Sequence, residues 1–458
     1  MDRLSTLDAE FLHLEDRVGH LHIAGICTFD DPAPSMEELT GLVAAKLHLI
    51  PRYRQRVRGV PLDLGRPVWV DDPHFRLEYH VRHTALPAPG GDEELCALMG
   101  RLMSQPLDRD RPLWEAWLVE GLEGDRWALI FKVHHCMVDG IAGVGLLTVL
   151  LDLEADAELP EPEPWSPEPE PPGLVKVVDA WQGAVGDAVG WARRTPELIQ
   201  DPLGAVRRAG ELGTGLVRLG LRLGTTPPSS IEGSIGPHRI WRHSEADLAT
   251  VKSIGRRLGG TVNDVVLAAV TSGYRRLLLE RGEDPATTVV RSMIPVSVRS
   301  AGAGSELANR VSTLLAELPV DVDDPVTRFE TVRDRMVRLK ASHMAEAGGL
   351  VTELGNLAPP PLISTVSRLG VRAQHLSTQR SVTTVTTNVP GPQFPLFCLG
   401  REMLTYLPFV PISHGVRIGT AILSYNGHLT FGVTGDLDAA PDVGVLADGI
   451  TAGVDELT

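Results

Sequence analysis

The hydrophobic pattern of the first 155 residues alternates between strand-like and helix-like segments. The apolar runs 22–29 and 127–135 have the length and composition of buried β-strands. Ser35 and Glu38 form a capping-box pattern directly before apolar positions at helical spacing, and Asp92 begins a second helix of this kind. Residues 141–153 are apolar on nearly every side, which predicts a buried helix.

A segment rich in proline and glutamate, 158–173, interrupts this alternation. Seven of its 16 residues are proline and five are glutamate, so it predicts an extended linker without helix or strand. Helical patterns follow at about 174–194 and 203–223. The second helix has four arginines, one glutamate and an apolar side, and two interpretations remain open: a connecting helix packed on the protein, or a helix lying on an anionic lipid surface.

The alternation of strands and helices returns from about residue 235. Thr261 is placed to cap a long helix that ends near Gly282, and residues 288–299 have a strand pattern. Asn426-Gly427 between alternating apolar flanks is typical of a β-hairpin. The pattern predicts an α/β (α+β) protein with an N-terminal lobe over 1–157, a linker and helical crossover over 158–234, and a C-terminal lobe over 235–458.

Composition and charge exclude several classes of function. With 43 Lys and Arg against 59 Asp and Glu, the net charge of −16 disfavours nucleic-acid binding. The four cysteines lie far apart, so neither a zinc module nor a disulfide framework is expected. The acidic N-terminal segment and the lack of a long apolar run predict no signal peptide and no spanning helix, and hence a cytoplasmic protein. No phosphate-binding glycine loop is present.

The segment FKVHHCMVDG, residues 131–140, is the clearest candidate for chemistry. Successive strand residues face opposite sides, so His135 shares a face with Val133, whereas His134 points the other way. Three interpretations compete: a structural histidine pair, a metal site, and a catalytic imidazole. Adjacent histidines on a strand diverge and no third ligand follows at a standard spacing, so no metal is expected.

The motif His134-His135-Cys136-Met137-Val138-Asp139-Gly140 resembles the active-site motif of the CoA-dependent acyltransferase superfamily. Further segments narrow the resemblance to bacterial wax ester synthase/diacylglycerol acyltransferases. In chain order they are LDAEFLHLED (7–16), HLHIAG (20–25), PRYRQRV (51–57), QPLDRDRPLWE (105–115), TVNDVVLAAV (261–270), MIPVSVR (293–299), ANRVST (308–313) and TNVPGP (387–392). The resemblance covers nearly the whole chain, although the linker at 158–173 is unusual for the family.

The resemblance implies two chloramphenicol-acetyltransferase-like lobes with the active-site channel between them. It implies acyl-CoA as co-substrate, no cofactor, and a lipid alcohol as acceptor. His135 would act as general base, because a neutral imidazole titrates near the working pH. His134 would orient the site, and Asp139 would support the loop through an arginine, for which Arg299 and Arg54 are both candidates.

Other motif residues are assigned to substrate binding or to the shape of the pocket. They are Gly140, Pro112, Leu113, Trp114, Asn263 and Asp264. Gly140 permits a tight turn, and Pro112, Leu113 and Trp114 are expected to set shape rather than chemistry. Asn263 is either a donor to the oxyanion or simply part of a helix cap.

Three functional hypotheses follow from the sequence. The first is an acyl-CoA-dependent O-acyltransferase that makes triacylglycerol or wax esters and associates peripherally with membranes or lipid bodies. The second is an acyltransferase of the condensation or polyketide type that takes its acyl group from a carrier protein. The third is a catalytically silent lipid-binding protein, and the intact His135 and Asp139 count against it.

Overall fold

The computed structural model describes residues 2–61, 65–137, 149–194, 228–297, 311–357, 382–413 and 415–458. The helices are α1 (Thr6–Leu14), α2 (Met36–Lys46), α3 (Leu77–His80), α4 (Asp92–Met103), α5 (Gly173–Arg194), α6 (Leu248–Arg257), α7 (Val262–Glu280), α8 (Pro325–Leu357) and α9 (Val443–Asp455). The strands of the first half are β1 (His22–Asp30), β2 (Gln55–Arg58), β3 (Val68–Asp71), β4 (Val81–Ala85), β5 (Trp114–Leu122) and β6 (Arg126–His134). Those that follow are β7 (Glu232–Gly233), β8 (Arg239–Asp247), β9 (Val290–Ser297), β10 (Val311–Leu318), β11 (Thr384–Pro390), β12 (Phe397–Cys398), β13 (Arg401–Phe409), β14 (Gly415–Val416), β15 (Ile418–Tyr425) and β16 (His428–Asp436).

Within the described residues, two six-stranded mixed sheets organise the fold. The first has the order β12-β13-β1-β6-β5-β4, and the second has the order β10-β9-β11-β15-β16-β8. In the first sheet β4 runs parallel to β5, and β6 is antiparallel to both β1 and β5. These sheets with their covering helices form the two lobes, so the predicted α/β architecture is confirmed.

Local sequence signals place several elements as predicted. Both hydrogen bonds of the Ser35 capping box are present at the start of α2, and Thr261 caps α7 in the same way. Asn426 and Gly427 both have positive φ in the β15–β16 turn, as an Asn-Gly hairpin requires. The predicted helix at 203–223 lies outside the described residues, as does most of the predicted helix at 141–153.

The linker 158–173 contains no helix or strand before α5 begins, as predicted, but it lies against the first lobe instead of spanning free space. Glu170 pairs with Arg56 (2.9 Å) and with Lys176 (2.5 Å). Trp165 lies under the Arg54 guanidinium, 4.8 Å from its ring centroid, and packs edge-on to Phe75. These contacts fix the path of the linker along the lobe.

The first lobe includes strands from the second half of the chain, which the boundaries 1–157 and 235–458 did not anticipate. Strands β12 and β13 follow residue 235 but belong to the first sheet, where β13 pairs with β1. From there β13 contacts the second sheet: Thr430 Oγ1 donates to the Tyr406 carbonyl (2.6 Å), and Tyr425 OH donates to the Met403 carbonyl (3.0 Å). This pairing depends on contacts between distant segments, so local hydrophobic periodicity cannot reveal it.

Candidate active site

Strand β6 carries the histidine motif in the interior of the first sheet. On one face, Ala128 and Ile130 pack with the apolar residues of α4. On the other, Leu129, Phe131 and Val133 pack in the cluster that includes residues of α2. The strand ends at His134, one residue earlier than predicted, and His135–Met137 form a single 3₁₀ turn. His134 and His135 therefore lie where the strand meets the turn.

His135 is partly exposed at the start of this turn. Its backbone N–H donates to the Leu21 carbonyl (2.9 Å), which ties the turn to the segment that leads into β1. The ring of Phe11 on α1 packs against the imidazole, with 4.0 Å between ring centroids and planes tilted by 30°. The imidazole is thus held from one side by an aromatic ring.

His134 is buried and serves the backbone of the turn. Its N–H donates to the Leu113 carbonyl (2.9 Å), and its Nδ1 accepts a hydrogen bond from the Cys136 N–H (3.1 Å). Cys136 is 4% exposed, and burial raises the pKa of its thiol. A buried, protonated thiol is a poor nucleophile, so the side chain of Cys136 packs rather than reacts.

A buried polar cluster lies behind the motif, and His134 is the member that sequence reasoning singled out. It consists of Glu15, His20 and His22 together with His134, and His22 lies directly opposite His134 in the pairing of β1 with β6. Glu15, His20 and His22 fall within the segments 7–16 and 20–25. Two histidines spaced two apart where a strand begins, shortly after an acidic residue, were the signal available in the sequence.

The Pro112-Leu113-Trp114 segment supports the end of β6. All three residues are buried. Trp114 donates from Nε1 to the Tyr53 carbonyl (2.8 Å) and stacks on His80 at 4.6 Å between ring centroids. Burial lowers the pKa of His80 to about 4, so this ring is neutral and acts as a packing surface. These contacts hold the segment between the end of β6 and the rings of Tyr53 and His80.

Asn263 and Asp264 lie at the start of α7 in the second lobe. Asp264 is buried and its carboxylate accepts from the N–H and hydroxyl of Thr261, which makes it a helix-capping residue. Asn263 Oδ1 accepts a hydrogen bond from Asn388 Nδ2 (3.2 Å). This bond uses the oxygen of the Asn263 amide and not its NH₂ group. Asn388 belongs to the TNVPGP segment, and the structure brings these two motifs together.

Three predicted site residues, Asp139, Gly140 and Arg299, lie outside the described residues. Arg54, the other candidate partner for Asp139, stacks on Trp165 of the linker.

Asp92, Cys96 and His243 form a group of metal-ligating types where α4 meets β8. His243 Nε2 lies 2.5 Å from Asp92 Oδ1, so the pair links the two lobes by a direct hydrogen bond. The hydrogen bond explains why these three side chains lie together: they are part of the contact between α4 and β8. His134 and His135 do not belong to this group.

Comparison with known families completes the description of the site. A sequence profile of the wax ester synthase/diacylglycerol acyltransferase catalytic domain matches residues 4–266, and the profile of the WS/DGAT C-terminal domain matches residues 307–458. The chain belongs to the wax ester synthase/diacylglycerol acyltransferase family. It is therefore an acyltransferase, and the family forms triacylglycerols and wax esters.

Individual relatives of this wax ester synthase/diacylglycerol acyltransferase support the assignment. The chain is 37% identical over 465 residues to tgs1 of Mycobacterium tuberculosis, named a probable diacylglycerol O-acyltransferase, covering 100% of this chain and 96% of the relative. A homologue from Mycobacterium bovis matches with the same identity and coverage.

Solved structures agree on the fold. A wax ester synthase/diacylglycerol acyltransferase from Marinobacter aquaeolei VT8 superposes with a TM-score of 0.69 at 24% identity, covering 99% of this chain and 98% of the other. A trichothecene 15-O-acetyltransferase from Fusarium sporotrichioides superposes with a TM-score of 0.60 at 12% identity, covering 99% and 94%.

Proposed function

We propose that the enzyme transfers an acyl group from acyl-CoA directly to the hydroxyl of diacylglycerol or a long-chain alcohol, with His135 as general base. The observation that carries the proposal is the placement of His135. It is a partly exposed imidazole at the end of an interior strand, tied by its backbone to Leu21 and packed on Phe11. A general base has to be both held in place and reachable by the substrates.

The reaction requires a proton to move as the carbon–oxygen bond forms. His135 takes the proton from the acceptor hydroxyl while the oxygen attacks the thioester carbonyl, which contributes roughly 10²–10⁴-fold to the rate. The tetrahedral intermediate then loses the CoA thiolate as the carbon–sulfur bond breaks, and His135 returns the proton to that sulfur. Cys136 is buried with a raised thiol pKa, so the adjacent cysteine offers no covalent route.

Other motif residues support this step in the proposal. Asp139 and Gly140 shape the loop after the turn, with Arg299 or Arg54 as the partner of Asp139. The Asn263 amide N–H is a candidate donor to the oxyanion of the intermediate, because Asn388 occupies only its oxygen.

Product analysis tests the proposed reaction. Purified enzyme receives one acyl-CoA together with diacylglycerol and hexadecanol in competition, and no carrier protein. We expect triacylglycerol, wax ester or both, in amounts equal to the CoA released. Ester formation only when the acyl group arrives on a carrier protein would contradict acyl-CoA as donor and favour the condensation-type alternative.

We also propose that the enzyme meets its lipid substrates from the aqueous side, at a membrane or lipid-body surface. No helix of the described residues combines the length and the apolar character needed to cross a bilayer. Helix α5 instead exposes Leu174, Val178 and Trp181, which are 75%, 48% and 72% exposed. These positions share one helix face, while Lys176 and Ala180 are buried on the protein. An exposed apolar stripe that includes a tryptophan fits the interfacial region of a lipid layer.

Replacing Leu174, Val178 and Trp181 with serine should therefore reduce pelleting with phosphatidylglycerol-containing vesicles at least about tenfold. The reason is that three apolar side chains are no longer transferred from water into the lipid layer on binding. The control is Leu279→Ser, which removes an apolar side chain that is 52% exposed on α7. If the triple variant pellets as well as the wild type, α5 is not the membrane contact. The segment 203–223 would then be the remaining candidate for that contact.

A further inference from the structure

The C-terminal end of α1 places a carboxylate inside the first lobe. Glu15 follows the last residue of α1, and its side chain is 7% exposed. Its Oε1 lies 3.1 Å from His22 Nε2 and 3.9 Å from His20 Nδ1, and its Oε2 lies 3.6 Å from His134 Nε2. Arg109 donates to the same Oε2 from a side chain that is half exposed. One carboxylate is thus surrounded by three imidazoles and one guanidinium.

The surroundings set the charge state of Glu15 and His22. Burial alone would raise the pKa of Glu15, but contacts with His134, His22 and Arg109 outweigh burial and hold that pKa well below its usual range. Burial lowers the pKa of His22 to about 3. At neutral pH the cluster therefore holds an ionised Glu15 balanced by Arg109, with His22 uncharged.

The hydrogen bond made by His134 defines its tautomer. Nδ1 accepts the Cys136 N–H, so in the neutral ring the proton is on Nε2. Nε2 in turn faces the ionised oxygen of Glu15, which favours a proton at that position. If the proton moved to Nδ1, two N–H groups would oppose each other and the bond to Cys136 would be lost.

The bond to Cys136 acts on the peptide that immediately follows His135. The turn His135–Met137 is held by this bond on one side and by the bond from His135 N–H to Leu21 on the other. Helix α1 contributes twice, since Phe11 packs on the His135 ring and Glu15 contacts His134 from the end of the same helix. The orientation of His135 therefore depends on contacts that converge from α1.

We propose that Glu15 is a positioning residue for the reaction: it keeps the His134 proton on Nε2, and His134 then holds the turn that orients His135. Glu15 does not touch the substrates. The inference rests on the proposed role of His135 as general base, since a positioning residue acts only through the group that it positions.

Glu15→Leu removes the carboxylate and keeps a side chain of similar bulk. A misplaced base costs up to about 10²-fold, so we expect kcat to fall about 10- to 100-fold while KM for acyl-CoA changes less than about threefold. Glu15→Gln keeps an oxygen that can face His134 Nε2, and it should recover part of the lost kcat. The matched control is Glu10→Leu, the same change five residues earlier within α1, which should leave kcat at the wild-type value.

Two further readouts separate positioning from a merely structural role. Correlation spectra of ¹⁵N-labelled histidines should show the His134 proton on Nε2 in the wild type and a larger fraction on Nδ1 in Glu15→Leu, because only the Cys136 N–H then opposes that tautomer. The His134→Gln spectrum gives the assignment. Glu15→Leu should also have no further effect on residual activity in a His135→Ala background. An unchanged tautomer, or a kcat equal to that of the wild type, would overturn the role of Glu15.

The two proposals can fail separately. If His135→Ala retains wild-type activity, the proposed function fails regardless of Glu15. If His135→Ala is inactive and folded Glu15→Leu is fully active, only the positioning role fails. Should Glu15→Leu not fold, Glu15→Gln still decides the matter, since it must show a lower kcat than the wild type with an unchanged KM.

Discussion

The His135→Ala variant should fold and bind acyl-CoA normally, yet form ester about 10²- to 10⁴-fold more slowly than the wild type. Without the imidazole, the acceptor hydroxyl has to lose its proton to water, whereas the rest of the site remains in place. His135 is partly exposed at a turn, so removing its ring leaves the buried core of the lobe intact. The measurement is the rate of ester formation together with calorimetric binding of acyl-CoA.

His83→Ala provides the control, because His83 is an exposed histidine on β4 that pairs with Glu120 at the surface. This variant should retain the wild-type rate. Comparable rates for His135→Ala and the wild type, at equal acyl-CoA binding, would remove His135 from the mechanism.

Gly432→Ala should cause a large loss of stability. A Cβ at Gly432 would lie 1.7 Å from the Pro408 carbonyl oxygen and 3.0 Å from Trp241 Nε1. The obstacle is backbone of β13, which is fixed by its pairing with β1, so no side chain can rotate away. We expect destabilisation of about 3 kcal/mol or more, seen as a lower thermal midpoint and less soluble protein.

Gly41→Ala is the control for this substitution. Gly41 lies inside α2, and a Cβ there would meet no heavy atom within 4 Å. Alanine is favoured over glycine inside a helix by about 1 kcal/mol, so this variant should be slightly more stable than the wild type. An equal thermal midpoint for the two variants would show that the β13–β16 contact is not tightly packed.

Much of the fold was predictable because it depends on local chemistry. Ser35 with Glu38, and Thr261 with Asp264, reveal helix starts because each side chain bonds the backbone three residues away. Asn426-Gly427 reveals a hairpin because both residues accept positive φ. Strand alternation placed His134 and Lys132 on one face of β6, and both are buried there.

What the sequence could not show depends on contacts between distant segments. The insertion of β13 beside β1 joins residues almost 400 positions apart, and no periodicity encodes such a partner. The same holds for Trp165, which the sequence places in a linker and the structure places against Arg54. Glu15 looks like an ordinary acid after a helix until β1 and β6 bring His22 and His134 to it.

In direct transfer from the thioester to the alcohol, His135 carries the proton and no acyl-enzyme forms. Intact-mass measurement of the enzyme mixed with acyl-CoA, first without and then with diacylglycerol, distinguishes this route from a covalent one. For direct transfer we expect an unchanged protein mass and no CoA release without the alcohol, then release of CoA equal to the triacylglycerol formed once the alcohol is added. A protein heavier by one acyl group, or a stoichiometric burst of CoA before the alcohol is present, would contradict it.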